Sequence, residues 1–319
     1  MRQVLRRQSA PRPESDPLDW KHIDAWPNNE VSRQIKGPVH LWHVQETGAG
    51  DTVLLLHGAG GSTHSFRDLI PLLAQRFHVV AIDLPGQGFT RLGARNRCGL
   101  DQMVGDIQAL CEQEGWHPRV FVGHSAGAAI CLRLAKAALH KGTQGVRVIG
   151  LNAALGRFTG LAGMLFPAMA KALAATPFVT ALFAGTARNP ERARALLDST
   201  GSKLSPEGLE FYRRLIGNRD HVNGALSMMA QWSLDDLLDE LPDFAIPTLL
   251  IVGEKDQTVP PKVSREAAQI LPNAHIKTLA DLGHLAHEER PAEIAGLIQS
   301  FSEVDTPRRD QFVGPSDTR

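Results

Sequence analysis

The sequence predicts an α/β architecture: a mostly parallel central sheet with helices on both faces and a mostly helical cap inserted after the sixth core strand. Three observations predict it. Apolar runs of strand length alternate with segments of helical spacing. Residues 120–139 read as a strand, a glycine-rich turn around a serine, and a helix. The alternation then stops for about 90 residues between Leu155 and Phe244, far beyond the usual connection of about 2 to 6 residues, before it resumes.

Taken in order, Val31 to Ile35 and Val39 to Gln45 flank the Gly37-Pro38 turn signal and predict an antiparallel pair. The apolar runs Val53 to Leu56, Val79 to Ile82, Val120 to Val122, Val146 to Leu151, Thr248 to Val252 and His275 to Leu279 predict the parallel strands. Between them, Phe66 to Gln75, Leu100 to Glu114, Ala128 to Leu139 and Lys262 to Leu271 carry helical spacing, and Pro291 suits the first turn of a last helix reaching Phe301. Within the interruption, Ser205-Pro206-Glu207 opens a predicted helix to Ile216, and Gly224 to Leu238 predicts another. The expected organisation is an N-terminal extension over 1–30, a core over 31–154 and 245–303, a helical cap over 155–244, and a tail over 304–319. Residues 1–19 and 304–319 are rich in Pro, Arg, Ser and Asp and offer little to bury, so loose order is expected there. No internal repeat is present.

Lysine plus arginine number 34 and aspartate plus glutamate 34, so bulk charge does not favour nucleic acid as a partner. Cys98, Cys111 and Cys131 are odd in number and lack metal-ligand spacing, as buried thiols in a reducing compartment would be. The N-terminal arginines are followed by proline and acidic residues where an export signal needs an apolar stretch, and a cytoplasmic protein is expected. The longest apolar stretch, Phe158 to Gly185, is broken by Pro167, Lys171 and Pro177, and neither half reaches the roughly 20 residues of a membrane span.

The chemistry-bearing signal is Val120-Phe121-Val122-Gly123-His124-Ser125-Ala126-Gly127, an apolar strand running through G-x-S-x-G into a helix. The glycines permit a turn so tight that side chains there would collide with strand and helix, and the serine hydroxyl is left at the helix N-terminus. A serine hydroxyl needs a base to attack at neutral pH, and the expected order places an acid and then a histidine downstream. Asp256 follows the apolar run ending at Val252, and Leu282-Gly283-His284 follows the last strand. Ser125, Asp256 and His284 are therefore the predicted triad.

Rivals exist for each partner. Glu254 lies nearer its strand end, and Asp281 stands only three residues before the histidine, too close to face it. The position after the sixth strand reads Leu151-Asn152-Ala153, without a carboxylate. His287 begins the next segment and is expected to pack or cap. For the oxyanion, His57-Gly58-Ala59-Gly60-Gly61 follows the first parallel strand, so the expected donors are the N–H of Ala126 and that of Ala59 or Gly60. His57 and the Asp83-Leu84-Pro85-Gly86-Gln87-Gly88 turn read as scaffold. There is no H-E-x-x-H, no Walker lysine and no G-x-G-x-x-G, so neither metal nor cofactor is expected.

On these motifs, residues 31–301 resemble the capped α/β-hydrolase superfamily, which implies an α/β-hydrolase fold with a Ser-His-Asp site. Asp19-Trp20, Trp26-Pro27-Asn28, Leu41-Trp42-His43-Val44-Gln45 and Ser62-Thr63-His64-Ser65-Phe66-Arg67-Asp68 are similar to the magnesium-chelatase accessory α/β-hydrolases of bacteriochlorophyll biosynthesis, with Phe66 where relatives often carry Trp. That resemblance implies a phototrophic bacterium, a tetrapyrrole context, and magnesium chelatase as a partner. In the cap, Leu165, Phe166, Met169, Phe178 and Phe183 are the candidate substrate-binding residues, although apolar helical spacing by itself predicts core burial first. The expected function is a serine hydrolase acting on an ester of a bulky apolar substrate, with a tetrapyrrole as the implied example. The alternatives are a magnesium-porphyrin binding and delivery protein and a carbon–carbon bond hydrolase using the same triad. Epoxide hydrolases and haloalkane dehalogenases would need aspartate at Ser125. Peripheral membrane contact through the apolar cap segment is the competing use of Phe158 to Gly185.

Overall fold

A computed structural model describes residues 18–156 and 189–303. Among them, β1 (Ser32–Lys36), β2 (Leu41–Thr47), β3 (Thr52–Leu56), β4 (His78–Ile82), β5 (Val120–His124), β6 (Arg147–Leu151), β7 (Thr248–Gly253) and β8 (Ala274–Leu279) form one sheet in the order β1-β2-β4-β3-β5-β6-β7-β8. β2 pairs antiparallel with both β1 and β4, and every later pairing is parallel. The chain thus has the α/β-hydrolase fold that its sequence predicts. The central strands read as unbroken apolar runs because helices cover both faces.

Alternation along β3 shows how the two faces are filled. Leu54 and Leu56 join a core with Met103, Ile107 and Leu110 of α2 (Leu100–Glu114) and Ala128, Cys131 and Leu132 of α3 (Gly127–His140). Val53 and Leu55 point the other way, onto Leu69, Ile70 and Leu73 of α1 (Leu69–Leu73) and Ile294, Ile298 and Phe301 near the C-terminal end of the described chain. Cys98, Cys111 and Cys131 are free and buried, and burial pushes the thiols of Cys98 and Cys111 up to about 11 and about 12.

Among the described residues, four α-helices stand between β6 and β7: α4 (Pro190–Asp198), α5 (Pro206–Gly217), α6 (Arg219–Gln231) and α7 (Asp235–Glu240). The Ser205 side chain caps α5 by accepting the Gly208 N–H, as the start signal predicts. The helix expected over Gly224 to Leu238 is instead two. Asn218 caps α6 by accepting the His221 N–H, so the helix begins five residues earlier, and the chain turns extended at Trp232. Periodicity conceals this break because Met228 before it and Leu234 and Leu237 after it enter the same core. The expected Phe66 to Gln75 helix is likewise shortened: a 3₁₀ turn over Thr63–Phe66, capped by Ser62, precedes α1. After β7 come α8 (Pro261–Ile270), α9 (Ala286–Glu289) and α10 (Pro291–Glu303). No helix among the described residues is long and apolar enough to cross a membrane.

Packing begins well before residue 31. Two 3₁₀ turns, Trp20–Ala25 and Asn29–Val31, carry the chain across the core, and Trp26 is only 2% exposed. Its ring lies 5.2 Å from Phe89, 5.2 Å from Phe211 of α5 and 5.5 Å from His64, all edge-on. One side chain thereby joins the N-terminal segment, the core loops and the cap. Trp26→Ala should cost about 3–5 kcal/mol by emptying that site. Urea unfolding checks this, and a loss below about 1 kcal/mol would mean that the segment merely rests on the surface.

Candidate active site

The β5–α3 turn is built by exclusion. A side chain on Gly123 would strike the backbone of Gly127 and Ala128, and one on Gly127 would strike the carbonyls of Leu56 and His57. Only at that separation can α3 leave β5 so abruptly. Ser125 between them has φ +52°, a left-handed conformation that costs a non-glycine residue about 1–2 kcal/mol. Its N–H donates to the Leu151 carbonyl at 2.9 Å, and its carbonyl accepts from Ala128 at 3.2 Å and Ala154 at 3.1 Å. These bonds hold the strain in place. The serine is half-buried, and among the described residues its hydroxyl makes no hydrogen bond, a looseness common in ligand-free sites.

Asp256 and His284 are brought together from the ends of β7 and β8. His284 Nδ1–H donates to Asp256 Oδ2 at 2.8 Å, which leaves Nε2 as the unprotonated nitrogen. The same Oδ2 accepts from the Asn152 side chain at 2.8 Å, and Oδ1 accepts the N–H groups of Thr258 and Val259, each at 2.8 Å. Four donors surround one buried carboxylate, which confines it to accepting. Asn152 is a site residue that sequence reasoning passed over for lacking a carboxylate. With φ +47° it also donates to the Gly283 carbonyl at 3.3 Å, tying the acid to the histidine loop. An Asn just after β6 is the only local signal, and its meaning depends on β6 lying beside β7.

The rivals lie elsewhere. Glu254 pairs with Arg265, and Asp281 pairs with Lys255 and Arg290 at the surface. His287 is fully buried and hydrogen-bonds the Ser65 hydroxyl at 2.6 Å. Ser65 in turn donates to Glu288, which also accepts from Tyr212 of α5 and Arg67. Burial raises the Glu288 carboxyl against the opposing pull of Arg67, Tyr212 and Ser65.

Of the expected oxyanion donors, Ala126 and Ala59 have no hydrogen-bond acceptor for their N–H among the described residues. Gly60 is a correction. Its N–H already donates to Gln87 Oε1 at 2.7 Å, so it has no proton left for an oxyanion. Gly58 brings this loop against Ser125, since a Cβ there would lie 2.9 Å from Ser125 Cβ. The expected substrate-binding residues Leu165, Phe166, Met169, Phe178 and Phe183 lie outside the described residues. A small polar cleft of about 90 Å³, lined by Asp101, Gln102, Arg133, Gln231 and Asp236 among others, contains no triad residue.

The segment after α4 reaches the loops that carry Asp256 and His284 through one backbone carbonyl and one hydroxyl. The Thr200 carbonyl accepts from both His284 N–H and Gln257 N–H, each at 3.2 Å, and Ser202 Oγ accepts from Leu285 N–H at 2.7 Å. A side chain on Gly201 would strike the Lys255 carbonyl, and one on Gly283 would strike Gly201. The segment is therefore wedged between the acid loop and the histidine loop.

Comparison with known proteins follows this geometry. A sequence model described as the alpha/beta hydrolase fold matches residues 51–291. The magnesium-chelatase 30 kDa subunit of Rhodobacter capsulatus is 43% identical over 293 residues, covering 91% of this chain and 99% of that one. A pimeloyl-(acyl-carrier protein) methyl ester esterase of Stenotrophomonas maltophilia is 30% identical over 267 residues, covering 83% and 98%. An esterase of Exiguobacterium antarcticum has the same fold, with a TM-score of 0.67 at 17% identity over 85% of this chain and 99% of its own.

The buried histidines make stability depend on pH. Burial, aided by His284 and Arg67, lowers His287 to about 3, while burial and the charge of His57 bring His221 to about 4. Burial also lowers His57, His64 and His124. Above pH ~6.5 these groups are neutral folded and unfolded; below it the unfolded chain binds protons first, so stability is lost as pH falls. Each histidine contributes a slope of up to about 1.4 kcal/mol per pH unit, down to its folded value. The melting temperature should fall steadily from pH 7 to 5, and a flat profile would show that these imidazoles are charged in the fold.

Proposed function

Because the chain belongs to the α/β-hydrolase fold family, we propose that it is a serine hydrolase in which Ser125 is the nucleophile, His284 the base and Asp256 the orienting acid. The observation that carries this reading is the Asp256–His284 pair, its carboxylate also held by three further donors, together with a serine held at φ +52° just after β5. Strain kept at a single exposed hydroxyl is costly unless the hydroxyl is used.

In this reading His284 Nε2 takes the Ser125 proton as Oγ attacks the substrate carbonyl. The developing oxyanion receives the N–H groups of Ala126 and Ala59. His284 then protonates the leaving alcohol, and a water deprotonated by the same nitrogen releases the acid from the acyl-enzyme. Asp256 keeps Nδ1 protonated and stabilises the imidazolium without itself taking the proton.

The substrate class is a carboxylic ester of a bulky apolar acid or alcohol, with a magnesium tetrapyrrole as the specific candidate. The methyl ester esterase relative supports the bond, and the likeness to a magnesium-chelatase subunit supports the context. That same likeness favours a second reading, in which the chain binds a magnesium porphyrin and delivers it to, or receives it from, magnesium chelatase. The buried free cysteines support a reducing, cytoplasmic setting for either.

A fluorophosphonate probe should label the wild-type protein at Ser125, and Ser125→Ala should abolish both labelling and p-nitrophenyl ester hydrolysis without unfolding. Retention of half the wild-type rate in Ser125→Ala would sink the assignment. Asp256→Asn should lower kcat by about 10⁴-fold through the wrong histidine tautomer, while Glu254→Gln stays near wild type. A silent Asp256→Asn with a dead Glu254→Gln would move the acid.

For the substrate, we propose that the apolar side chains of Phe158 to Gly185 select large planar or lipid-like ligands. Leu165→Asp and Phe178→Asp should abolish fluorescence quenching of a magnesium porphyrin while liposome association is unchanged. The reverse pattern would assign the segment to a membrane surface.

A further inference from the structure

The loop after β3 is held at three consecutive peptide planes by three side chains: His57 and Gln87, whose segments read from sequence as scaffold, and His221, which no motif marks. The Gly58 carbonyl accepts from His57 Nδ1–H at 2.7 Å and from Gly61 N–H at 3.0 Å. In a planar trans peptide this also fixes the direction of the Ala59 N–H, which points the opposite way. The next plane is held by the Gly60 N–H on Gln87 Oε1 at 2.7 Å. The third is held by the Gly60 carbonyl, which accepts from His221 Nε2–H at 3.2 Å.

Neither holding side chain has rotational choice. His221 Nδ1 already accepts the Gly88 N–H at 3.0 Å, so its proton must sit on Nε2, toward Gly60. Gln87 turns its amide N–H to Met228 Sδ at 3.3 Å, which directs its oxygen to Gly60. Gln87 is fully buried and His221 is 3% exposed. Both His221 and Met228 lie on cap helix α6, which reaches the Gly86–Gly88 turn because Gly224 and Gly86 meet backbone to backbone; a side chain on Gly224 would strike the Gly86 carbonyl. Gly60 itself sits at φ +78° with open space where a Cβ would be, so glycine serves conformation there rather than clearance.

We propose that Gln87 and His221 are positioning residues for the oxyanion hole: they clamp Gly60 at its N–H and carbonyl, so that Ala59 N–H is the second donor, and they do so only while α6 is seated on the loop. The inference rests on the hydrolase reading for its catalytic consequence. It couples cap position to transition-state stabilisation and leaves the nucleophile untouched.

The test has two parts. In wild-type protein, hydrogen exchange read by NMR should find the Gly60 amide strongly protected and the Ala59 amide exchanging freely; equal exchange at the two overturns the clamp, whatever the reaction. In kinetics with a p-nitrophenyl ester, Gln87→Leu and His221→Leu should each lower kcat by about 10- to 100-fold with KM nearly unchanged, less than the loss of an oxyanion donor outright. His221→Gln, which keeps a donor for Gly60, should recover most of the loss. Leu variants that fold, by circular dichroism, and keep kcat within about twofold of wild type overturn the proposal. If the Leu variants do not fold, His221→Gln decides: a fall in kcat as deep as in Ser125→Ala, or an Ala59 amide that becomes protected, overturns it. A wild-type protein that fluorophosphonate does not label at all overturns the hydrolase reading and the catalytic role of the clamp, while the Gly60 exchange result still reports separately on the clamp.

Discussion

Everything at the candidate site depends on one close approach, that of α3 to the ends of β3 and β5. Gly123 and Gly127 have no side chains because the neighbouring backbone occupies the space those side chains would fill. The turn between them forces Ser125 to φ +52°, and bonds to Leu151, Ala128 and Ala154 keep it there. The serine then stands at the start of a helix, where free N–H groups and the positive end of the helix dipole meet any developing negative charge. A looser turn would relieve the strain and lose the placement of the Ala126 N–H with it.

Around this turn, the parallel sheet does the assembly. β5, β6, β7 and β8 are neighbours, so the residues following their carboxyl ends, Ser125, Asn152, Asp256 and His284, come together although 159 positions separate the first from the last. Asn152 shows how this works. It contributes no titrating group, yet its amide orients the acid and touches the histidine loop, and its role exists only because β6 pairs with β7.

The helical segment between β6 and β7 is tied into the candidate site. It meets the His284 loop through Thr200 and Ser202, the loop after β3 through His221, and the N-terminal segment through Phe211. The Thr200 contact is a backbone carbonyl, and the neighbouring Gly201 fits only because it lacks a side chain, which makes this contact rigid for its size. A shift of this segment would therefore disturb the His284 loop and the loop after β3 together.

The sequence by itself determined the strands, because continuous apolar runs bounded by turn residues leave a buried parallel sheet as the way to hide them. It also determined Ser125, Asp256 and His284 as candidates, since a G-x-S-x-G turn and two loop residues in a set order are local patterns with a local reason. Long-range closure was decided elsewhere. Gly60 looked as suitable a donor as Ala59 until Gln87, 27 positions away, took its N–H. The single helix expected over Gly224 to Leu238 is two, and because both pieces feed one core the break is hidden from periodicity. His221 and Thr200 carry no motif, and their importance comes from what the fold places against them. Hydrophobic period and turn chemistry are set by residues a few positions apart, whereas hydrogen-bond partnership and close backbone approach depend on which distant segments become neighbours, and only the tertiary structure decides that.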